Sequence, residues 1–199
     1  LQHLIRDDFY RHGSVCEDFS RIETPVLAVG GWADSYTNAV FRLMSGLETP
    51  TRALVGPWVH LYPHQGMPAP DIHFLSLCLR WWDQWLKGED RQVLDEPRYR
   101  VFITDSTRPA VELAQAPGRW VGLDVWPPRL LETWPLAPGR LGAGNEAELG
   151  IQVASPQSTG MSAGAFCPMW GGPDFPGDAQ HDDARSACFD TEPLAGDVE

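Results

Sequence analysis

Two side chains capable of acid–base chemistry follow short apolar runs in the first third of the chain. Asp34 comes five residues after the run 26–29, and His60 comes five residues after the run 53–55. If these runs are neighbouring parallel strands, their carboxyl ends lie at one edge of a sheet, where the two loops meet. An aspartate that accepts a hydrogen bond from one imidazole nitrogen leaves the other free to take a proton from a serine. The spacing therefore allows an Asp–His pair of the hydrolase type, but taken alone it is explained better by a turn-forming aspartate and a surface histidine.

The elements expected to position this pair alternate between strand and helix. The runs 26–29 and 53–55 are continuously apolar, which is typical of strands buried on both faces of a parallel sheet. Residues 37–47 between them carry apolar side chains at helical spacing, and a second such segment, 72–86, follows Asp71 as its expected N-cap. The order strand, helix, strand, helix favours an α/β layer architecture.

Beyond residue 91 the chain consists of short apolar runs separated by proline, glycine and polar turns. Examples are the runs 99–103 and 186–190. Many short strands divided by turns are typical of an all-β sandwich. We therefore expect an α/β domain over residues 1–91 and an all-β domain over residues 92–199.

The charge balance argues against a nucleic-acid partner. The 199 residues include 15 Lys and Arg against 27 Asp and Glu, a formal net charge of −12, so a phosphate-binding face would oppose the protein's own field.

No apolar run approaches the roughly 20 residues that span a bilayer, and the first residues lack the features of a signal peptide. We therefore expect no membrane partner and a cytoplasmic location. Because the chain lacks an initial methionine, we also expect it to be part of a longer protein.

The cysteines and histidines show no metal-binding motif. The four cysteines lack the paired spacing of a zinc ribbon or redox motif and are too few to staple a chain of this length. His60 and His64 have the spacing of a helical zinc pair, but Pro63 between them is incompatible with that helix. We therefore expect no metal site, and reduced thiols at four positions: Cys16, Cys78, Cys167 and Cys188.

Several segments together resemble one family of enzymes. Residues 24–36 and 54–60, which contain the Gly-Trp-x-Asp and Gly-Pro-Trp-x-His elements, are similar to the acid and histidine segments of the cocaine-esterase and X-prolyl dipeptidyl aminopeptidase family. Residues 80–88 and 97–102 resemble the same family. The resemblance covers nearly the whole chain. It implies that residues 1–91 form the carboxyl-terminal portion of an α/β-hydrolase sheet, and that residues 92–199 form an incomplete jelly-roll β-sandwich, so that both domains are truncated, one at each end of the chain.

The resemblance also implies a role for each candidate site residue. Asp34 would orient the base, and His60 would act as the general base and acid. Trp32, Tyr36 and Trp58 would line the substrate pocket, although for each of these aromatic residues taken singly core packing is the stronger explanation. The implied reaction is cleavage of a small ester or peptide substrate, including X-prolyl dipeptides, through an acyl-enzyme, with no metal or organic cofactor.

A nucleophile of the expected shape is missing from this pattern. Ser162 lies in a G-x-S-x-G sequence, but neither a strand before it nor a helix after it is predicted, and a nucleophile elbow needs both. We therefore interpret Ser162 as a turn serine. The chain would supply the acid and the base, would be inactive alone, and would have the missing amino-terminal part of the hydrolase domain as its partner.

Two further points stay open at this stage. Self-association as a homo-oligomer is neither indicated nor excluded. The alternative function is a noncatalytic β-sandwich binding module in which Asp34 and His60 are relics of a triad.

Overall fold

The computed structural model describes residues 3–127, 134–137, 140–142, 152–165, 167–168, 175–193 and 195. Contacts divide the chain into two compact units. The first contains the described residues up to Thr107, then 113–127 and 167–168. Its helices and strands, in chain order, are α1 (Asp8–His12), β1 (Val26–Gly31), α2 (Thr37–Gly46), β2 (Thr51–Gly56), α3 (Phe74–Leu86), β3 (Tyr99–Thr104) and β4 (Gly118–Leu123).

One mixed sheet organises this unit, with the strand order β1-β2-β3-β4. β1 and β2 are parallel, with a register that runs from Val26 opposite Thr51 to Gly31 opposite Gly56. Parallel neighbours need a crossover connection, and α2 provides it. β3 is parallel to β2, whereas β4 is antiparallel to β3. The predicted order strand, helix, strand, helix is confirmed, and so is an α/β arrangement of helices with a sheet.

The core of this unit lies where α2 packs on the sheet. Val40 and Met44 of α2 are buried against the small and branched side chains of β1, β2 and β3. Val55 and Val101 are fully buried in the middle of β2 and β3. This burial explains why the central strands read as continuous apolar runs rather than as alternating ones.

The sheet of the first unit continues past the domain boundary that is expected near residue 92. β3 and β4 both lie beyond that residue, yet they extend the sheet that β1 and β2 begin. The physical reason is burial on both faces of β3, where the consecutive residues Val101 and Phe102 are 0% and 3% exposed. Such a strand completes a covered sheet instead of opening a half-exposed sandwich.

The second unit contains little regular structure among its described residues. It includes a two-stranded antiparallel ladder of β5 (Leu136–Ala137) and β6 (Arg140–Leu141), and the short helix α4 (Gln180–Asp183). The strand expected over residues 186–190 is reduced to a single bridge between Asp190 and Arg140. A jelly-roll over residues 92–199 is therefore not confirmed, and part of that range lies outside the described residues.

None of the helices in the described part of the chain has both the length and the apolar character to cross a bilayer.

Candidate active site

The loops after β1 and β2 are joined closely because their strands end side by side. Gly31 and Gly56 are paired residues, and the Trp32 N–H donates to the Gly56 carbonyl at 2.8 Å. The Ala33 N–H donates to the Trp58 carbonyl at 3.1 Å. A Cβ atom on Gly31 would overlap the backbone of Trp58, so only glycine permits this approach. Backbone contacts alone therefore hold the two strand-end loops against each other.

Asp34 and His60 project from these loops into direct contact. The distance between His60 Nδ1 and Asp34 Oδ2 is 2.8 Å. Because an ionised carboxylate only accepts hydrogen bonds, Nδ1 carries the proton and donates, which leaves Nε2 as the basic nitrogen. The other carboxylate oxygen, Oδ1, accepts the backbone N–H of Tyr36 at 2.8 Å. The Asp34 side chain is 12% exposed and that of His60 is 41% exposed, so solvent or a ligand can reach the imidazole.

A cavity of about 530 Å³ opens beside this pair. Its wall is mostly apolar and aromatic, and includes Val29, Trp58, Leu61, Tyr62 and Phe74 together with Asp34 and His60. None of the described residues that line it is a serine. The geometry therefore provides an oriented imidazole and an apolar recess, without a serine hydroxyl on the cavity wall that the structure describes.

The three aromatic residues expected to line a pocket have different surroundings. Tyr36 is 65% exposed, and its ring centroid lies 5.5 Å from that of His60. Trp58 lines the cavity but is also a core residue, since it is only 1% exposed and its indole N–H donates to the Pro70 carbonyl. Neither Tyr36 nor Trp32 is among the described residues that line the cavity.

Trp32 instead takes part in an aromatic cluster of the core. Its ring stacks on Phe41 at a centroid distance of 5.8 Å and lies 6.4 Å from Trp126. Its indole N–H donates to the Phe102 carbonyl on β3. For Trp32 the structure supports the core-packing alternative rather than the pocket.

Cys167 is a neighbour of the pair that sequence reasoning missed. Its Sγ atom, one ring nitrogen of His60 and one carboxylate oxygen of Asp34 all lie within 4.8 Å of one another. The backbone N–H of His60 donates to the carbonyl of Pro168 at 3.1 Å, which holds the segment around Cys167 beside the histidine. No motif could have indicated the contact, because more than a hundred residues separate Cys167 from His60 in the sequence.

Ser162 belongs to the second unit and is held by a carboxylate. Its backbone N–H donates to Asp182 Oδ2 at 2.9 Å. Backbone hydrogen bonds from Ser162 and then Gly160 lower the pKa of Asp182 from its usual value. Residues 152–156 before Ser162 have no regular structure, residues 157–163 form turns, and the described residues 164–165 and 167–168 are not helical. These surroundings lack the strand and the helix of a nucleophile elbow.

Comparison with known proteins identifies relatives of this chain. Residues 1–62, which contain both Asp34 and His60, match the family model described as X-Pro dipeptidyl-peptidase (S15 family). Proteins from Mycobacterium bovis and Mycobacterium tuberculosis, each named a "putative serine esterase", are 27% identical over 110 residues. The matched region is 52% of this chain and 16% of each relative, so the chain spans about a sixth of their length.

A solved structure has a similar fold. The crystal structure of a CocE/NonD family hydrolase from Staphylococcus aureus matches 71% of this chain and 24% of its own chain, with a TM-score of 0.52 and 17% identity. A second crystal structure of that hydrolase, at 1.95 Å, matches 74% of this chain with a TM-score of 0.51. At this level of identity, the likeness concerns the fold of the chain.

Proposed function

Because the chain belongs to the family of X-Pro dipeptidyl-peptidases and CocE-type hydrolases, we propose that it contributes the acid and the base of a serine hydrolase. The observation that carries this proposal is the 2.8 Å contact between His60 Nδ1 and Asp34 Oδ2 at the ends of two parallel strands. In open α/β sheets, this edge is where ligands and catalytic residues collect. The family match over residues 1–62 agrees with the same assignment.

The reaction follows from the protonation pattern of His60. With Nδ1–H bound to Asp34, Nε2 takes the proton of a serine hydroxyl as its oxygen attacks the substrate carbonyl. The imidazolium, stabilised by the Asp34 carboxylate, then gives that proton to the leaving alcohol or amine, and an acyl-enzyme remains. Water repeats the sequence, with Nε2 as its base, and releases the acid. His60 is thus the catalytic base and acid, and Asp34 is its positioning residue.

The nucleophile is proposed to come from a more amino-terminal part of a longer protein. Three observations support this origin: the described cavity wall has no serine, Ser162 lies in a turn without an elbow, and the curated relatives are about six times as long as the matched region. The same part would provide the backbone N–H donors of the oxyanion hole, one of which follows the nucleophile directly. The partner of this chain is therefore the preceding part of its own hydrolase domain.

The proposed substrates are small esters or amides, including X-prolyl dipeptides. The apolar wall around Val29, Leu61 and Phe74 suits an acyl group with little charge. A cavity of about 530 Å³ falls in the range of small-molecule sites. Within that class, the substrate is selected by whichever residues complete the cavity.

The experiment is a His60→Ala substitution in the longer protein encoded by the reading frame that contains this chain. We expect hydrolysis of a chromogenic ester to fall by about three orders of magnitude or more, because the base is lost. His73→Ala removes an exposed histidine at the start of α3 and is the matched control, with turnover expected to stay within a few-fold. Equal turnover of wild type and His60→Ala would exclude the proposed role and favour a binding module with a relic pair.

A further inference from the structure

Cys167 and the Asp34–His60 pair bring three possible metal ligands together at one place. A thiol, an imidazole and a carboxylate there offer one sulfur, one nitrogen and one oxygen atom within 4.8 Å of one another. Sulfur, imidazole and carboxylate are the three ligand types of protein-bound zinc. No sequence motif joins these residues, which is why the sequence analysis expected no metal site.

The spacing of the three atoms is close to what a tetrahedral ion requires. With Zn–S near 2.3 Å and Zn–N or Zn–O near 2.0–2.2 Å, two ligands of one ion lie about 3.3–3.6 Å apart. His60 Nδ1 and Asp34 Oδ2 are 2.8 Å apart, and the three ligand atoms all lie within 4.8 Å of one another, so the required spacing falls inside the observed range. Small rotations of the three side chains are needed to reach it. The contacts between the strand-end loops, and the hydrogen bond from the backbone N–H of His60 to the Pro168 carbonyl, hold the backbone in place at all three residues.

Access and charge also favour a cation at this position. His60 is 41% exposed and lies on the wall of the open cavity, so an ion can enter from solvent and keep a water molecule as its fourth ligand. The net charge of −12 raises the local concentration of cations near the protein. Asp34 supplies a negative charge directly at the site.

We propose that Asp34, His60 and Cys167 form a site for Zn²⁺ or a similar thiophilic divalent cation, and that this ion inhibits rather than assists the hydrolase. The ion takes the place of the proton between Nδ1 and Asp34, and the thiol of Cys167 releases its proton to solvent. The imidazole then carries its proton on Nε2, so neither ring nitrogen can accept a proton from a serine. Binding of the ion follows from the geometry alone. Its inhibitory effect rests on the proposed function of His60.

The test measures binding first, on the reduced and chelator-treated 199-residue chain. Titration with Co²⁺ is expected to give one equivalent with a thiolate-to-cobalt charge-transfer band, and Zn²⁺ is expected to displace it. Cys167→Ser should abolish the band and weaken Zn²⁺ binding at least tenfold, and His60→Gln should weaken it similarly. Cys188→Ser, which removes an exposed thiol of the second unit, is the matched control and should bind like wild type. A band that persists in Cys167→Ser, or no binding by wild type, would overturn the site.

A second measurement needs no substitution and therefore does not depend on folding of the variants. Zn²⁺ should slow alkylation of Cys167 by a thiol reagent at least tenfold, as measured by peptide mass spectrometry, and leave Cys16 and Cys188 unaffected. Equal rates with and without Zn²⁺ would contradict the proposal. If binding is observed but Zn²⁺ leaves ester turnover unchanged in the longer protein, the cation site stands and the inhibition, with the role of His60, fails.

Discussion

The Asp34 carboxylate has both of its oxygens engaged, one by the His60 imidazole and one by the Tyr36 N–H. The backbone hydrogen bond fixes the rotation of the carboxylate, so that the remaining oxygen points at Nδ1. Such a contact determines the tautomer of the imidazole as well as its orientation. The acid is therefore expected to act through the tautomer that it imposes.

Asp34→Asn tests that expectation, because it preserves the size of the side chain and changes its donors. The amide can present its NH₂ group to Nδ1, which moves the imidazole proton to Nε2 and leaves no base for the serine. We expect kcat in the longer protein to fall by about 10⁴, as for the corresponding change in other triads. The thermal unfolding midpoint should stay close to that of wild type. A loss of activity with a large loss of stability would indicate a structural role instead.

Sequence patterns could predict the pair but not all of its neighbours. Asp34 and His60 were predictable because the end of a strand is a local property, and parallel pairing brings two such ends together. For Trp32 the resemblance suggested the pocket and the residue type suggested the core, because a residue at a strand end can point to either face; here it packs on Phe41. Cys167 was beyond prediction, since only the tertiary fold brings it to His60.

At the scale of elements, α3 has two apolar faces, and sequence could not tell which one is buried. Apolar side chains recur at helical spacing through Leu75, Leu79 and Trp82, and such a stripe is typical of the packed face of a helix. The structure leaves these three residues 64%, 58% and 52% exposed, and buries Trp81 at 3% instead. Periodicity identifies a helix, but with apolar residues on both sides it does not identify the packed face.

Two adjacent tryptophans of α3 allow a matched stability test. Trp81→Ala removes a buried indole and should lower the free energy of unfolding by about 3–5 kcal/mol. Trp82→Ala removes a half-exposed indole from the same helix and should cost about 0.5 kcal/mol. Urea denaturation of both variants, followed by circular dichroism, measures the difference. Equal losses would mean that the stripe of Trp82 is covered in solution.

An ion cluster at the end of α3 gives a prediction on pH. Asp83 is buried and accepts hydrogen bonds from Lys87 at 2.6 Å and from Arg91 at 2.8 Å. The hydrogen bond from Lys87, followed by that from Arg91, holds the pKa of Asp83 below its usual value of 3.8. A carboxyl group with a lowered pKa in the folded state stabilises the fold above its unfolded pKa, and this contribution is lost as the pH falls.

We therefore expect the free energy of unfolding to decline as the pH falls below 3.8 and through the lower pKa of folded Asp83. Asp83→Asn should make this acid decline shallower, because the amide does not titrate. Lys87→Met, which removes the first donor and leaves Arg91, should give an intermediate slope. Urea denaturation at a series of pH values checks the order of the slopes. An unchanged slope in Asp83→Asn would show that the cluster is not linked to folding.

At the scale of the molecule, the proposed active site has His60, the proposed base, on the described cavity wall and no serine there. Two observations are consistent with a serine supplied by another part of a longer protein. β1 is an edge strand in the described sheet, and the hydrolase whose crystal structure resembles this chain is about four times as long as the matched region. An edge strand with an apolar sequence is suited to pairing with a further strand. The catalytic unit is thus proposed to be larger than this chain.

The last prediction is that the 199-residue chain alone hydrolyses no ester and does not react with a fluorophosphonate probe. An Asp–His pair raises the reactivity of a hydroxyl at hydrogen-bond distance, and without that hydroxyl nothing attacks the carbonyl. Water activated by His60 would also react without an oxyanion hole, in which a single hydrogen-bond donor lowers the activation free energy by about 3 kcal/mol. The longer protein should be labelled on a serine outside this chain, and His60→Ala should slow the labelling by a factor comparable to its effect on ester turnover. Labelling of Ser162, or turnover by the chain alone that His60→Ala abolishes, would place the nucleophile within this sequence.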